Sequence, residues 1–318
     1  MQKQVIVLLM LALGVLRAEA QYPVKPVRLV VPILAGGPLD NVARIVSQAL
    51  SQGLGQSVII ENRPGADGAI GAQAVLGSPA DGYTLFFTNN TAVVGAPLLN
   101  KAVTYNPLTD FTPVSFVGRM TLVIYANPSL PAKSLAELVS HARANPNKLS
   151  YATSTIGDVI AGTQLLNAAG IDMVRVPYKG AAQAIPDLIE GRVHMGIAPL
   201  AAGLAHAKEG RLRMLAVILP SRSPTAPDVP TTAEAGQPGV SVTTWAAIFG
   251  PRGLPADVTA RVAAEMARLG QQTEVRSQFE RQGFRGEVAG PETLSKLLKE
   301  ELATWSKIIK ENGITQSQ

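Results

Sequence analysis

Three short stretches carry the residues whose types and spacing could do chemistry. The first is Val31-Pro32-Ile33-Leu34-Ala35-Gly36-Gly37-Pro38-Leu39-Asp40. An apolar run, Val27 to Val31, precedes it and reads as a buried strand. Val42, Ile45, Val46, Ala49 and Leu50 follow with the spacing of one helix face. The stretch is therefore a strand-to-helix loop with two glycines at its apex. Such a loop bares backbone N–H groups at a helix N-terminus, where the dipole favours an anion. It offers a hold on a small carboxylate, although an ordinary tight turn has the same composition. The second stretch, Thr88-Asn89-Asn90-Thr91, ends a strand running from Tyr83 to Phe87. Ligands bind at that edge of open α/β sheets, and the same residue types also cap helices. The third, Thr153-Ser154-Thr155-Ile156-Gly157-Asp158, repeats the first pattern: a strand, small polar residues, then a helix to about Ala169. It is a second candidate anion cradle.

Other chemistries find little support. There is no cysteine, so thiol nucleophiles and disulfides are absent. His141, His194 and His206 are scattered, with no metal-ligand spacing and no H-E-x-x-H, and no G-x-S-x-G elbow occurs. His141 reads as an exposed helix residue and His194 as an edge-strand residue. A Schiff base on Lys179 is conceivable. Gly65, Gly68 and Gly71 are spaced G-x-x-G-x-x-G, which is not the dinucleotide fingerprint. No catalytic residue, metal or cofactor is expected, and the activity to expect is binding.

The elements around these stretches belong to an exported globular chain. Of 318 residues, 47% are hydrophobic and 16% charged, a balance that excludes disorder. The net charge of +5 is modest, and no basic tract with interleaved aromatics offers a nucleic-acid surface. Lys3, the apolar run Val5 to Leu13, and Ala18-Glu19-Ala20 read as a signal peptide cleaved after Ala20. The run is too short to span a bilayer. A periplasmic address fits an exported chain without disulfides. Strands and helices alternate thereafter, which argues for parallel, doubly wound sheets. Ser134-x-x-Glu137 is a capping box that opens a helix in the middle unit. Pro224, Pro227, Pro230 and Pro238 mark a long surface segment. Three helices are expected after Pro251. Two extended apolar runs, near 121–126 and 240–249, flank the middle unit. Residues 21–123 with 244–318 are expected as one domain, and 124–243 as the other. Two crossings make a hinge, and a cleft between hinged domains suits ligand capture.

Several segments resemble the Bug-type solute-binding receptors of tripartite tricarboxylate transporters, in that family's order. They are Tyr22-Pro23-Val24-Lys25-Pro26-Val27-Arg28, the first glycine loop, Glu61-Asn62-Arg63-Pro64-Gly65-Ala66 and Asp81-Gly82-Tyr83-Thr84-Leu85. Then come Asn127 to Ser134, Val176-Pro177-Tyr178-Lys179-Gly180 and Pro227 to Gly236. The resemblance implies a type II periplasmic-binding-protein fold, two doubly wound α/β domains on a two-strand hinge, Venus-flytrap closure and no catalysis. It implies small-carboxylate ligands, a monomer, and membrane transporter subunits or a sensor kinase as partner. By the same resemblance Ala35, Gly36, Gly37 and Asp40 hold one carboxylate, and Thr88, Asn89 and Asn90 extend that wall. Thr153, Ser154, Thr155, Gly157, Asp158, Tyr178 and Ala198 form the other wall, and Lys179 is a structural turn residue.

The first loop departs from the family's pattern. Ile33 and Leu34 replace an aromatic and a proline, and Pro38 and Leu39 replace a third glycine and a threonine. Pro38 removes one N–H and Leu39 a hydroxyl. The expected ligand therefore has an apolar or aromatic body, or fewer charges than citrate, with Leu34 and Leu39 as an apolar wall. Asp40 is expected to be the N-cap of the following helix. Asp158 reads as a solvent-facing residue in a first helical turn; if it points inward it repels a carboxylate.

Overall fold

The computed structural model describes residues 22–242 and 244–315. The expected signal peptide, with cleavage expected after Ala20, lies outside these residues. In the first part of the chain, β1 (Val27–Val31) leads to α1 (Pro38–Leu54), β2 (Val58–Asn62), α2 (Ala69–Leu76) and β3 (Thr84–Asn89). A π-type turn over Thr91–Gly95, the short α3 (Ala96–Leu99) and a long strand β4 (Phe111–Met120) follow. The middle part runs β5 (Leu122–Ala126), α4 (Leu135–Ala144), β6 (Ser150–Thr153), α5 (Ile156–Ala169), β7 (Val174–Pro177), α6 (Ala181–Ile189), β8 (Met195–Pro199), α7 (Leu200–Lys208) and β9 (Arg213–Ile218). The last part is β10 (Trp245–Pro251), α8 (Ala256–Gly270), α9 (Thr273–Arg281), β11 (Phe284–Ala289) and α10 (Pro291–Glu311). No described helix is long and apolar enough to cross a membrane.

These strands make two sheets, ordered β11-β4-β10-β3-β1-β2 and β7-β6-β8-β5-β9. Five strands of the first sheet repeat the order of the second. In each sheet the first parallel strand (β1 or β6) lies between the second and third, and an antiparallel strand separates the third from the fourth. The chain enters the second sheet with the antiparallel strand β5 and returns to the first with the antiparallel strand β10, and β11, antiparallel to β4, is an added edge strand of the first sheet without a counterpart in the second. The sheets are therefore mixed rather than wholly parallel. A strand arriving from the other sheet enters from the opposite end, so it runs against its neighbours. Thr121 is the only residue between β4 and β5, and the return ends at Thr244. The two crossings are tied together, for the Met120 N–H donates to the Thr244 carbonyl at 2.7 Å.

Each sheet is buried on both faces by helices. Val42, Val46 and Leu50 of α1 pack with Leu29, Ile248, Val262 and Phe279 on one face of the first sheet. Phe86, Trp245, Leu298 and Trp305 fill the other face, and Ile160 of α5 is buried in that same cluster. Leu135, Leu138 and Val139 of α4 line the second sheet's core, as their spacing predicts, and Ser134 caps that helix by accepting from the Glu137 N–H at 3.2 Å. The three C-terminal helices are present, with β11 between the last two. Neither β4 nor β11 is evident from sequence pattern: Pro113 and Gly118 interrupt one, and the other is short and half-buried.

Gly118 shows how tightly the first sheet is assembled. It sits in β4 at φ +153°, between β10 and β11, where an added Cβ would lie 2.1 Å from the Arg285 carbonyl oxygen. Gly118→Ala is expected to destabilise the fold by about 1–3 kcal/mol through overpacking and backbone strain. A urea unfolding midpoint equal to wild type would contradict this placement.

Candidate binding site

One cavity of about 830 Å³ lies where the C-terminal ends of the parallel strands of both sheets converge. That is the edge at which strand-to-helix loops are available for a ligand. The first sheet contributes Ile33 to Leu39, Asn89 and, beside the crossings, Met120 and Thr244. The second contributes Leu122, Ser154, Thr155 and Asp158, then Lys179 to Ala182 with Ile185 and Pro186, and finally Pro199, Ala202 and His206. The helices α1, α5 and α6 all begin at its wall. Their first-turn N–H groups have no carbonyl one turn back to bind, so their positive dipole ends meet there. Leu34 stands at the wall 74% exposed, an apolar side chain with nothing yet to cover it.

The glycine loop is fixed by Asp40, in a different way from that expected. The helix begins at Pro38 with Gly37 as N-cap, so Asp40 is its third residue and not the cap. Proline's fixed φ suits a first helical position, which moves the start forward. The Asp40 side chain is fully buried. Its Oδ2 accepts from the Gly36 N–H at 2.9 Å and from Arg44 Nε at 2.8 Å, and its Oδ1 accepts from Asn62 Nδ2 at 2.8 Å. Burial by itself would raise this carboxyl's pKa. The three donors outweigh it and hold the pKa below the usual carboxylate value. Gly36 adopts φ +86°, which only glycine takes readily, and this turns its N–H toward Asp40. The N–H of Gly36 is therefore engaged inside the loop, and Pro38 has none. The backbone donors left at this end are those of the next residues in the first turn.

The second loop repeats the device. Asp158 is the third residue of α5, 3% exposed, and its Oδ2 accepts from the Ser154 and Thr155 N–H groups at 2.9 Å each. The Thr155 hydroxyl accepts from the Asp158 N–H in return, a reciprocal cap. Asp158 is thus neither solvent-facing nor a free inward charge. Burial pushes its carboxyl up to about 6 despite these donors. With both acids committed to backbone, the cavity's remaining ionisable side chains are the Lys179 ammonium and the His206 imidazole.

Of the residues expected to bind, Leu34, Ala35, Gly36, Gly37, Leu39, Asn89, Ser154, Thr155 and Asp158 line the cavity. The others do not. Asp40 and Thr88 are wholly buried. Asn90 turns away, and its Nδ2 donates to Glu301 Oε1 on α10 at 2.9 Å. Gly157 lies inside the first turn of α5, packed against Thr244. Thr153 and Tyr178 line a separate hollow of about 190 Å³, and the Tyr178 hydroxyl donates to Asp187 at 2.8 Å. Ala198 is paired with Val123 within β8. For Thr88, Thr153 and Ala198 a strand's alternation is the reason, because neighbouring residues face opposite sides. Lys179 is a wall residue, not merely a turn former. His206, Pro199 and Ala202 were also unexpected, although their spacing along α7 places them on one helix face. His194 is not an edge residue: it leads into β8, a central strand between β6 and β5, and its Nδ1 accepts from the Ser150 N–H at 3.0 Å; His141 is half-buried.

This two-sheet arrangement has relatives. The family of tripartite tricarboxylate transporter receptors matches residues 42–314. The chain belongs to this family. Protein BugT of Bordetella pertussis is 34% identical over 297 residues, covering 92% of this chain and 90% of BugT. The structure of Rpa4515 from R. palustris with adipate superposes with a TM-score of 0.81 at 34% identity, over 92% of this chain and 99% of that one. MatC from Rhodopseudomonas palustris with bound malate gives 0.75 at 31%, over 91% and 100%. The fold is accordingly the α/β binding-protein fold of this family.

Two buried acids make stability fall as pH rises toward neutrality, opposed in part by His194, whose pKa burial holds below its ordinary value. Burial raises Glu301, which accepts from Asn90 and Trp245, to about 7, and Asp158 to about 6. Each holds its proton to higher pH when folded than when unfolded. Stability is therefore greatest below these values and is lost as pH rises from about 4 to 7. The melting temperature is expected to fall between pH 5 and pH 8, and Glu301→Gln should flatten the upper part of that decline. A melting temperature that instead rises steadily over this range would refute these assignments.

Proposed function

We propose that this family member is a periplasmic receptor that captures a small carboxylate with an apolar body and delivers it to the membrane subunits of a tripartite tricarboxylate-type transporter. One observation carries the reading: three helix N-termini face a single cavity whose walls are otherwise largely apolar. Backbone dipoles at the α1 and α5 ends hold the carboxylate. Ile33, Leu34, Leu39, Met120 and Ile185 surround the body. The names of Rpa4515, with adipate, and MatC, with malate, show relatives holding carboxylates.

Capture is a population shift. The first sheet with its helices forms one domain and the second sheet with its own forms the other, the boundary falling at Thr121 ahead of β5 and not after Val123, and they move about the crossings near Thr121 and Thr244. A ligand touching both walls stabilises the closed state by its differential contacts. No bond is made or broken, and the receptor acts as a monomer. Exposed Leu34 gains cover only on closure, so burying it contributes about 1–2 kcal/mol to the bound state.

Purified mature protein is expected to melt at higher temperature with at least one aliphatic or aromatic carboxylate, because ligand binds only the folded state. A broad carboxylate panel that leaves melting unchanged would sink the reading. Leu34→Ala should weaken binding of the best acid by about tenfold while leaving the unfolding midpoint unaltered, since the side chain is exposed without ligand. Unchanged affinity, measured by calorimetry, would remove the first loop from the site.

A further inference from the structure

We propose that Glu301 is a positioning residue of the binding site, bracing its walls from α10 and making ligand affinity depend on pH. The inference rests on the carboxylate reading above and concerns how that same site is regulated.

Glu301 is not a cavity-lining residue, but it holds the neighbours of two that are. Its Oε1 accepts from Asn90 Nδ2 at 2.9 Å, and its Oε2 accepts from Trp245 Nε1. Asn90 directly follows Asn89, which lines the cavity. Trp245 directly follows Thr244, which lines the cavity and accepts from the Met120 N–H at the crossings. Asn89 lies opposite Ala246 in the β3–β10 pair, so the two held segments run side by side. The tryptophans of this cluster also carry the contact with the second sheet. Ile160 of α5 is buried with Trp245 and Trp305, and an added Cβ on Gly95 would lie 2.6 Å from Ile156 at the start of α5. That helix begins at the opposite wall, at Ser154, Thr155 and Asp158. One carboxyl therefore braces the first wall directly and the second through packed indoles.

The bonding is that of an ionised carboxylate. Each oxygen accepts from its own donor. A protonated carboxyl turns one oxygen into an O–H donor, so it must release Asn90 or Trp245. Few charges surround this group. Arg119 of β4 faces it and is itself paired with Glu287 of β11. The one charged residue of α5, Asp158, is turned to its own loop. The other charged side chains of α10 are exposed. The Trp305 indole N–H, buried and without a hydrogen-bond partner among the described residues, lies near enough to favour ionisation. Burial outweighs these groups and pushes the carboxyl up to about 7, so its proton exchanges in the neutral range. A ligand that needs Asn89 and Thr244 in place favours the doubly bonded, ionised form. By reciprocity, ionisation favours the ligand, and affinity falls as pH drops below neutrality.

Calorimetry with adipate, hexanoate and benzoate selects the tightest probe, whose affinity is then followed from pH 6 to pH 8, a range in which the acid itself stays largely ionised. Wild type is expected to bind about fivefold tighter at pH 8 than at pH 6, the worth of one hydrogen bond. Glu301→Gln, which keeps the shape and cannot ionise, should lose most of that dependence. Asp158 and His206 are present in both proteins, so the difference between the two profiles belongs to Glu301. Trp245→Phe, which keeps the acid and removes one of its donors, should lose the dependence as well and serves if the first variant does not fold. A second readout needs no ligand. The chain's two tryptophans, Trp245 and Trp305, both flank Glu301, so wild-type indole emission should titrate near pH 7 and that of Glu301→Gln should not. A wild-type affinity that does not change with pH, or a dependence that survives in the folded variants, overturns the assignment and leaves the carboxylate reading standing. No heat with any of the three acids at either pH overturns both together.

Discussion

Each sheet begins its ligand-facing edge with a buried aspartate that folds a strand-to-helix loop back onto its own helix. Asp40 takes the Gly36 N–H and Asp158 the N–H groups of Ser154 and Thr155. Everything at the cleft depends on this pair. A buried carboxylate is tolerated only if donors surround it, and the nearest donors are the loop's own backbone. Satisfying the acid therefore fixes the loop. The fixed loops determine where α1 and α5 point, and so where their unpaired first-turn N–H groups lie.

The same device limits the charge of the site. A carboxylate in the first helical turn is stabilised by the helix dipole, and it also offsets part of that dipole for any bound anion. Two such acids at two helix ends weaken the positive field that the cavity would offer to any anion. Pro38, without an N–H, and Leu39, without a hydroxyl, act in the same direction. The cavity walls are largely apolar in keeping with that weakening, and Leu34 stands exposed among them.

The two sheets are not independent modules. Five strands of each share one order because each sheet receives an antiparallel strand from the other, and the crossings are bonded at Met120 and Thr244. Ile160 of α5 is buried with Trp245 and Trp305 beside the first sheet. Glu301 links α10 to Asn90 and Trp245, the residues next to cavity-lining Asn89 and Thr244. A buried network, not an empty gap, therefore lies beside the crossings.

The sequence by itself determined the family, the strand-helix alternation and both glycine or hydroxyl loops, because these rest on local spacing and on backbone conformations few residues adopt. It also placed Leu34 and Gly37 at the wall. It did not reveal β4 or β11, whose pairing is long-range and whose patterns are broken by Pro113, Gly118 and Gly286. It also assigned to the ligand several groups that the fold uses internally: Asp40, Asn90 and Tyr178 each bind protein. Whether a polar residue at a strand end faces a ligand or a neighbouring element depends on which way the pleat and the packing helix turn it. Asn89 and Asn90 are adjacent and face different partners. His206 and Lys179 gave no local signal, for they come to line one cavity only when α6 and α7 pack on the second sheet. Tertiary packing alone decided which donors were spent and which were left for a ligand.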